Sequence, residues 1–94
     1  MKQIRCHICG WRLDELPWGD DGLHPTYNIC DCCGCEFGYE DSELSGILQY
    51  RKKWIESGGV WFKPDEKPDN WSLKEQLNLI PKEIPAGIGK DLKD

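Results

Sequence analysis

No run of about 18 apolar residues occurs in this 94-residue chain, so no segment has the makings of a membrane-spanning helix. The opening stretch MKQIRCHICG has no apolar core and no small-residue cleavage site, which predicts a chain that stays in the reducing cytoplasm. Basic charge is scarce over residues 1–41, which carry three basic and eight acidic side chains, whereas residues 42–94 carry nine of each. The whole net charge of −5 therefore lies in the first part, where it would repel DNA or RNA. There is no glycine loop able to cradle a phosphate and no nucleophile that pairs with a base, so no enzymatic activity is expected. At 38% hydrophobic and 31% charged residues, a chain this short is too polar to be held by packing alone, although five tryptophans concentrate its apolar area. A staple is required.

Six cysteines can supply it. Three disulfides are one possibility, but in a reducing compartment clustered cysteines are more often metal ligands. The spacing is informative. Cys6-His7-Ile8-Cys9-Gly10 and Cys30-Asp31-Cys32-Cys33-Gly34 share the form of a metal knuckle, in which a tight turn aims backbone amides at two thiolates. A glycine just after the second cysteine allows the positive φ that such a turn needs, and Gly10 and Gly34 both occupy that place. The competing pair Cys32 and Cys35 is followed by Glu36. Cys6, Cys9, Cys30 and Cys33 are thus the predicted ligands of one Zn2+ per chain, a site that takes the net charge from −5 to about −7. Four thiolates close the coordination shell, which leaves no open position for catalysis at the metal. Iron in a rubredoxin-like electron-transfer site is the alternative, and a nucleic-acid-binding ribbon a second one. Cys32 and Cys35 read best as small apolar residues beside a tight turn, with a redox dithiol as the competing reading. His7 and His24 lack ligand spacing to each other and read as loop histidines.

The predicted fold is a small α+β metal-bound domain: a zinc-ribbon or rubredoxin-like double knuckle with a small antiparallel sheet, followed by two helices. The sheet would pair Trp11-Arg12-Leu13 with the β-prone Thr26-Tyr27-Asn28-Ile29. Between them, Asp14 to Pro25 is a Gly-, Pro- and Asp-rich loop bearing Trp18, read as a solvated connection or a binding surface. A helix is expected from Asp41 to Gly59, capped by Asp41 or Ser42 and stopped by Gly58-Gly59. Leu44, Ile47, Leu48, Tyr50, Trp54 and Ile55 form its apolar arc. Arg51 falls within that arc and must find carboxylates or carbonyls there; it is expected to reach an acid of the metal lobe, with snorkelling to water beside Trp54 as the competing reading. Val60-Trp61-Phe62 forms a short strand or clasp, and Ser72-Leu73-Lys74-Glu75 is a capping box opening a second helix with Leu73, Leu77 and Ile80 on one face. Residues 1–85 are read as one domain, with a ribbon lobe over 1–41 and a helical lobe over 42–85, and residues 86–94 as a flexible tail.

The order of a Cys-x-x-Cys-Gly-aromatic knuckle, a Tyr-x-Ile-Cys-x-x-Cys knuckle, acidic residues and a Leu-rich helix ending at Gly resembles the bacterial cysteine-rich CPCC family of small proteins. Cys6, Cys9, Gly10, Trp11, Tyr27, Ile29, Cys30, Cys33, Leu44 and Gly58 carry the likeness. It implies a zinc-ribbon fold and no defined activity. An acidic module with more tryptophans than a small core can centre suggests a protein-facing surface and a basic protein partner, which it would neutralise or regulate by electrostatic complementarity.

Overall fold

A computed structural model describes residues 3–85, 87 and 88 of the protein. Two knuckle hairpins form its first part, and they are built alike. In the first, the Cys6 amide donates to the Trp11 carbonyl at 2.8 Å and the Gly10 amide to the Cys6 carbonyl at 2.8 Å. In the second, Cys30 donates to Cys35 at 3.0 Å and Gly34 to Cys30 at 2.9 Å, each bond at the same offset along the chain. Gly10 and Gly34 adopt φ of 83° and 79°, as the turn demands.

The expected antiparallel sheet does not form. Each strand-prone stretch pairs instead with the flank of its own knuckle, through the single bridges Arg5–Arg12 and Ile29–Glu36, and no longer strand exists among the described residues. Each knuckle turn by itself brings the two residues of its bridge together, 5 with 12 and 29 with 36. The loop between the two hairpins is not a solvated connection either. Trp18 is buried and donates from Nε1 to Asp41 at 2.9 Å, so the loop folds back onto the core.

Helix α1 spans Leu44–Glu56 and helix α2 spans Leu73–Leu77, with a 3-10 turn at Pro64–Glu66 between them. Helix α1 starts later than the sequence pattern predicts, and its N-cap residue Glu43 makes no side-chain cap bond. Its buried face is narrower than the predicted arc. Ile47 and Trp54 are buried and Tyr50 is half-buried, while Leu44, Leu48 and Ile55 face outward. Gly58, at φ 88°, ends the helix in the left-handed conformation that favours glycine. Helix α2 is capped as expected by Ser72, whose Oγ accepts from the Glu75 amide at 3.2 Å, but it stops at Leu77, well short of Pro81.

Four tryptophans pack edge-on through the interior, with ring centroids 4.6 Å apart for Trp11–Trp61, 5.7 Å for Trp61–Trp71 and 6.4 Å for Trp54–Trp71. Trp11 and Trp71 stay half-exposed at the edge of this stack. Val60–Phe62 serves as a clasp without strand structure: the Phe62 amide donates to the Cys32 carbonyl and the Lys63 amide to the Asp31 carbonyl, both at 2.9 Å. In the stretch read as a tail, Gly87 donates to the Gly22 carbonyl at 2.7 Å and Ile88 is buried. The rest of that stretch, 86 and 89–94, lies outside the described residues.

Candidate metal centre

The two knuckles bring Cys6, Cys9, Cys30 and Cys33 together in the interior, with their four sulfurs all within 4.8 Å of one another. Cys6 and Cys33 stand 3.8 Å apart and Cys9 and Cys30 stand 3.7 Å apart. A disulfide would need about 2.05 Å. Four sulfurs at about 2.3 Å from one ion in tetrahedral array stand about 3.8 Å from each other, so the spacing fits a four-thiolate metal site. Backbone amides complete the first knuckle, Ile8 donating to Cys6 Sγ and Trp11 to Cys9 Sγ, both at 3.4 Å.

Electrostatics point the same way. Burial pushes the thiols of Cys6, Cys9 and Cys33 up, whereas hydrogen bonds from Cys33, Cys6 and Cys9 pull Cys30 down. Four buried thiols crowded together resist ionising together, and a divalent cation is the partner that would offset that cost.

Cys32 and Cys35 are fully buried but lie outside this cluster. By the matching offset of the two hairpins, Cys32 takes the place held in the first knuckle by Ile8, another fully buried residue, and Cys35 that of Trp11. Burial pushes the Cys35 thiol up, which makes it a poor nucleophile. Both are small core residues, and the dithiol reading gains nothing from this geometry. His24 is an exposed loop residue bonded to Asp21. His7 is no loop histidine: it is buried, and its Nε2 meets the Asp41 carboxylate at 2.5 Å.

What sequence reasoning missed is how the rest of the chain holds the knuckles. Each knuckle turn leaves three consecutive carbonyls pointing outward, and all six are capped from the C-terminal half. In the first knuckle, Arg51 donates to His7 at 2.6 Å and to Ile8 at 3.0 Å, and Gln76 donates to Cys9 at 3.0 Å. In the second, the Lys63 and Phe62 amides bond Asp31 and Cys32, and the Tyr50 hydroxyl donates to Cys33 at 2.8 Å. Arg51 thus fastens α1 to the metal lobe through carbonyls, not through the acid that its position predicts. Buried acidity goes elsewhere: Asp41, read as a helix cap, accepts from His7, Trp18 and the Gly38 amide. The knuckle glycines admit this packing. A Cβ on Gly10 would lie 2.7 Å from the Leu79 backbone, and one on Gly34 would lie 3.2 Å from the Phe62 ring.

Fold and site together define a small two-knuckle, cysteine-cluster protein whose helices close over the back of the cluster. The chain is 36% identical to the uncharacterized protein YozI of Bacillus subtilis (strain 168), with 72% of this chain and 69% of that protein covered. It is 35% identical to the uncharacterized protein YoaQ of the same organism, with 72% and 70% covered. The chain belongs to the family of these small Bacillus proteins. No family model matches it, so the likeness to the CPCC family rests on the quoted residues alone. No solved structure matches it.

Proposed function

We propose that the protein is a structural zinc module of the cytoplasm, in which Cys6, Cys9, Cys30 and Cys33 hold one Zn2+ per chain and the surrounding body presents a surface to a basic protein partner. The observation that carries the metal reading is the sulfur spacing, 3.7 and 3.8 Å across the two knuckles, which is that of thiolates around one tetrahedral ion. The likeness of the knuckle order to the CPCC family agrees with a ribbon-type site. Bound zinc supplies folding free energy on the order of 10–16 kcal/mol in small metal domains, a substantial part of what holds so small a fold. A closed four-thiolate shell offers no place for substrate, which argues against catalysis at the metal. The module's work is to neutralise or regulate the partner. The charge balance supports the choice of partner, because the −5 net charge is concentrated in residues 1–41.

Native mass spectrometry of freshly reduced protein tests the metal. One zinc per chain is expected, lost in Cys9→Ser and Cys30→Ser and retained in Cys32→Ala and Cys35→Ala. Bound iron would move the protein to the electron-transfer class, and a folded metal-free chain with missing thiol protons would replace the ion by disulfides.

A further inference from the structure

The two stretches that fail to form a sheet, 11–13 and 26–29, both line one open groove of about 550 Å3. Their backbone is incompletely paired. In the first hairpin the bonds from Cys6 to Trp11 and from Leu13 to Ile4 flank the Arg5–Arg12 bridge, so the N–H and C=O of Arg12 project away from the hairpin. The second hairpin repeats the pattern, with bonds from Cys30 to Cys35 and from Phe37 to Asn28 flanking Ile29–Glu36. Neither Arg12 nor Ile29 has a main-chain hydrogen bond of its own among the described residues. Open edges of this kind are templates for an added strand.

Side chains at the same place point to what would lie there. Ile29 is 44% exposed, Phe62 50% and Tyr27 60%, so apolar side chains stand open beside the unpaired edges. Tyr27 also adopts φ 62°, a conformation that a bulky side chain rarely takes and that costs about 1–3 kcal/mol. Of the cations of the groove, the Arg12 guanidinium lies 4.5 Å from the centre of the Trp11 ring and keeps its charge, and Lys63 pairs with Asp31 at 3.5 Å. Asp14 and Glu15 also line the groove and have no cation partner among the described residues. With Lys63 set against Asp31, Asp14 and Glu15 outnumber Arg12, so the balance of the lining is acidic by one charge.

We propose that this groove takes an extended segment of a basic partner protein as an added strand, main-chain bonded to the open edges at Arg12 and Ile29, with apolar side chains against Ile29 and Phe62 and a Lys or Arg beside Asp14 and Glu15. The inference rests on the reading of the protein as an interaction module and names its surface. The missing sheet is then completed by the partner.

The test pans a randomised peptide library against the zinc-loaded full chain and maps the selected peptides by amide chemical shifts. Enriched peptides are expected to alternate apolar with Lys or Arg residues, to shift the amides of Arg12 and Ile29, and to lose binding when alternate peptide amides are N-methylated. The double variant Asp14→Lys with Glu15→Lys, checked for an unchanged amide spectrum elsewhere, should bind them about tenfold more weakly, the effect of two exposed charge pairs. Enrichment of acidic peptides, or tolerance of N-methylation, overturns the proposal. Peptides that map to the exposed Leu44 and Leu48 of α1 overturn the groove but leave the interaction-module reading standing, whereas a library that yields no binder overturns both. A dimer seen by sedimentation, with Arg12 and Ile29 amides protected, assigns the edges to a second copy of the chain and also overturns it.

Discussion

At the scale of single residues, the decisive contrast is between two adjacent cap-type positions that look alike in sequence and behave differently in the fold. Asp41 and Ser42 both read as caps for α1, yet Asp41 is fully buried and gathers three donors, His7 Nε2, Trp18 Nε1 and the Gly38 amide. Burial alone would raise its pKa, but the hydrogen bonds from His7, Trp18 and Gly38 outweigh it and hold the carboxyl below its ordinary value. A carboxylate lowered in the folded state stabilises the protein above the unfolded-state pKa, and that stability is lost as pH falls through the folded value. Asp41→Asn should therefore cost about 2–3 kcal/mol near neutrality, with the gap from the parent protein narrowing below about pH 4. Urea unfolding of both proteins across pH checks it, and a gap that widens towards acid would contradict the assignment. The four clustered cysteines were legible from spacing and from the glycine after each pair. Asp41 was not, because nothing in a linear pattern says that a residue in a cap position faces inward.

At the scale of elements, helix α1 is joined to the metal lobe by polar bonds as much as by packing. Of its apolar arc only Ile47 and Trp54 are buried, and Arg51 between them carries two bonds to the carbonyls of His7 and Ile8. Arg51→Leu keeps the apolar stem and removes the donors, stranding two carbonyls of the first knuckle. We expect a loss of about 2–3 kcal/mol, read as a lower unfolding midpoint in urea with the stoichiometry of any bound metal unchanged. Arg51→Lys should recover little of it, since one ammonium cannot reproduce the guanidinium fork. Periodicity showed that an arginine sits on the buried side and that it needs oxygen partners. It did not show which, because the carbonyls lie on another part of the chain, turned outward by a knuckle whose shape is set locally. Gln76 escaped notice for a similar reason: a lone glutamine between Leu73 and Leu77 looks like a solvated position until the Cys9 carbonyl and the Trp71 indole are seen to flank it.

At the scale of the whole molecule, the knuckles and the C-terminal half form one unit, because the carbonyls of both metal turns are satisfied by residues between Tyr50 and Gln76. Stripping the ion should therefore unfold more than the cysteine-bearing part. With excess chelator, far-UV circular dichroism is expected to lose the helical signal of α1 in the same transition that removes the metal, and the tryptophan fluorescence to shift to the red as the four-ring stack opens. A retained helix after complete metal loss would show instead that the two halves are stable apart. How much of this was written in the chain divides along a physical line. Sequence alone determined the features with short-range causes: the two turns around paired cysteines, the cap at Ser72, the helix stop at Gly58, and the acidic bias of residues 1–41. Tertiary structure alone decided whatever depends on which distant groups meet. It kept the two hairpins from pairing into a sheet and drew Trp18 and Asp41 inward. The inward turn of Trp18 and Asp41 rests on the mutual satisfaction of buried polar groups, which belongs to the folded whole.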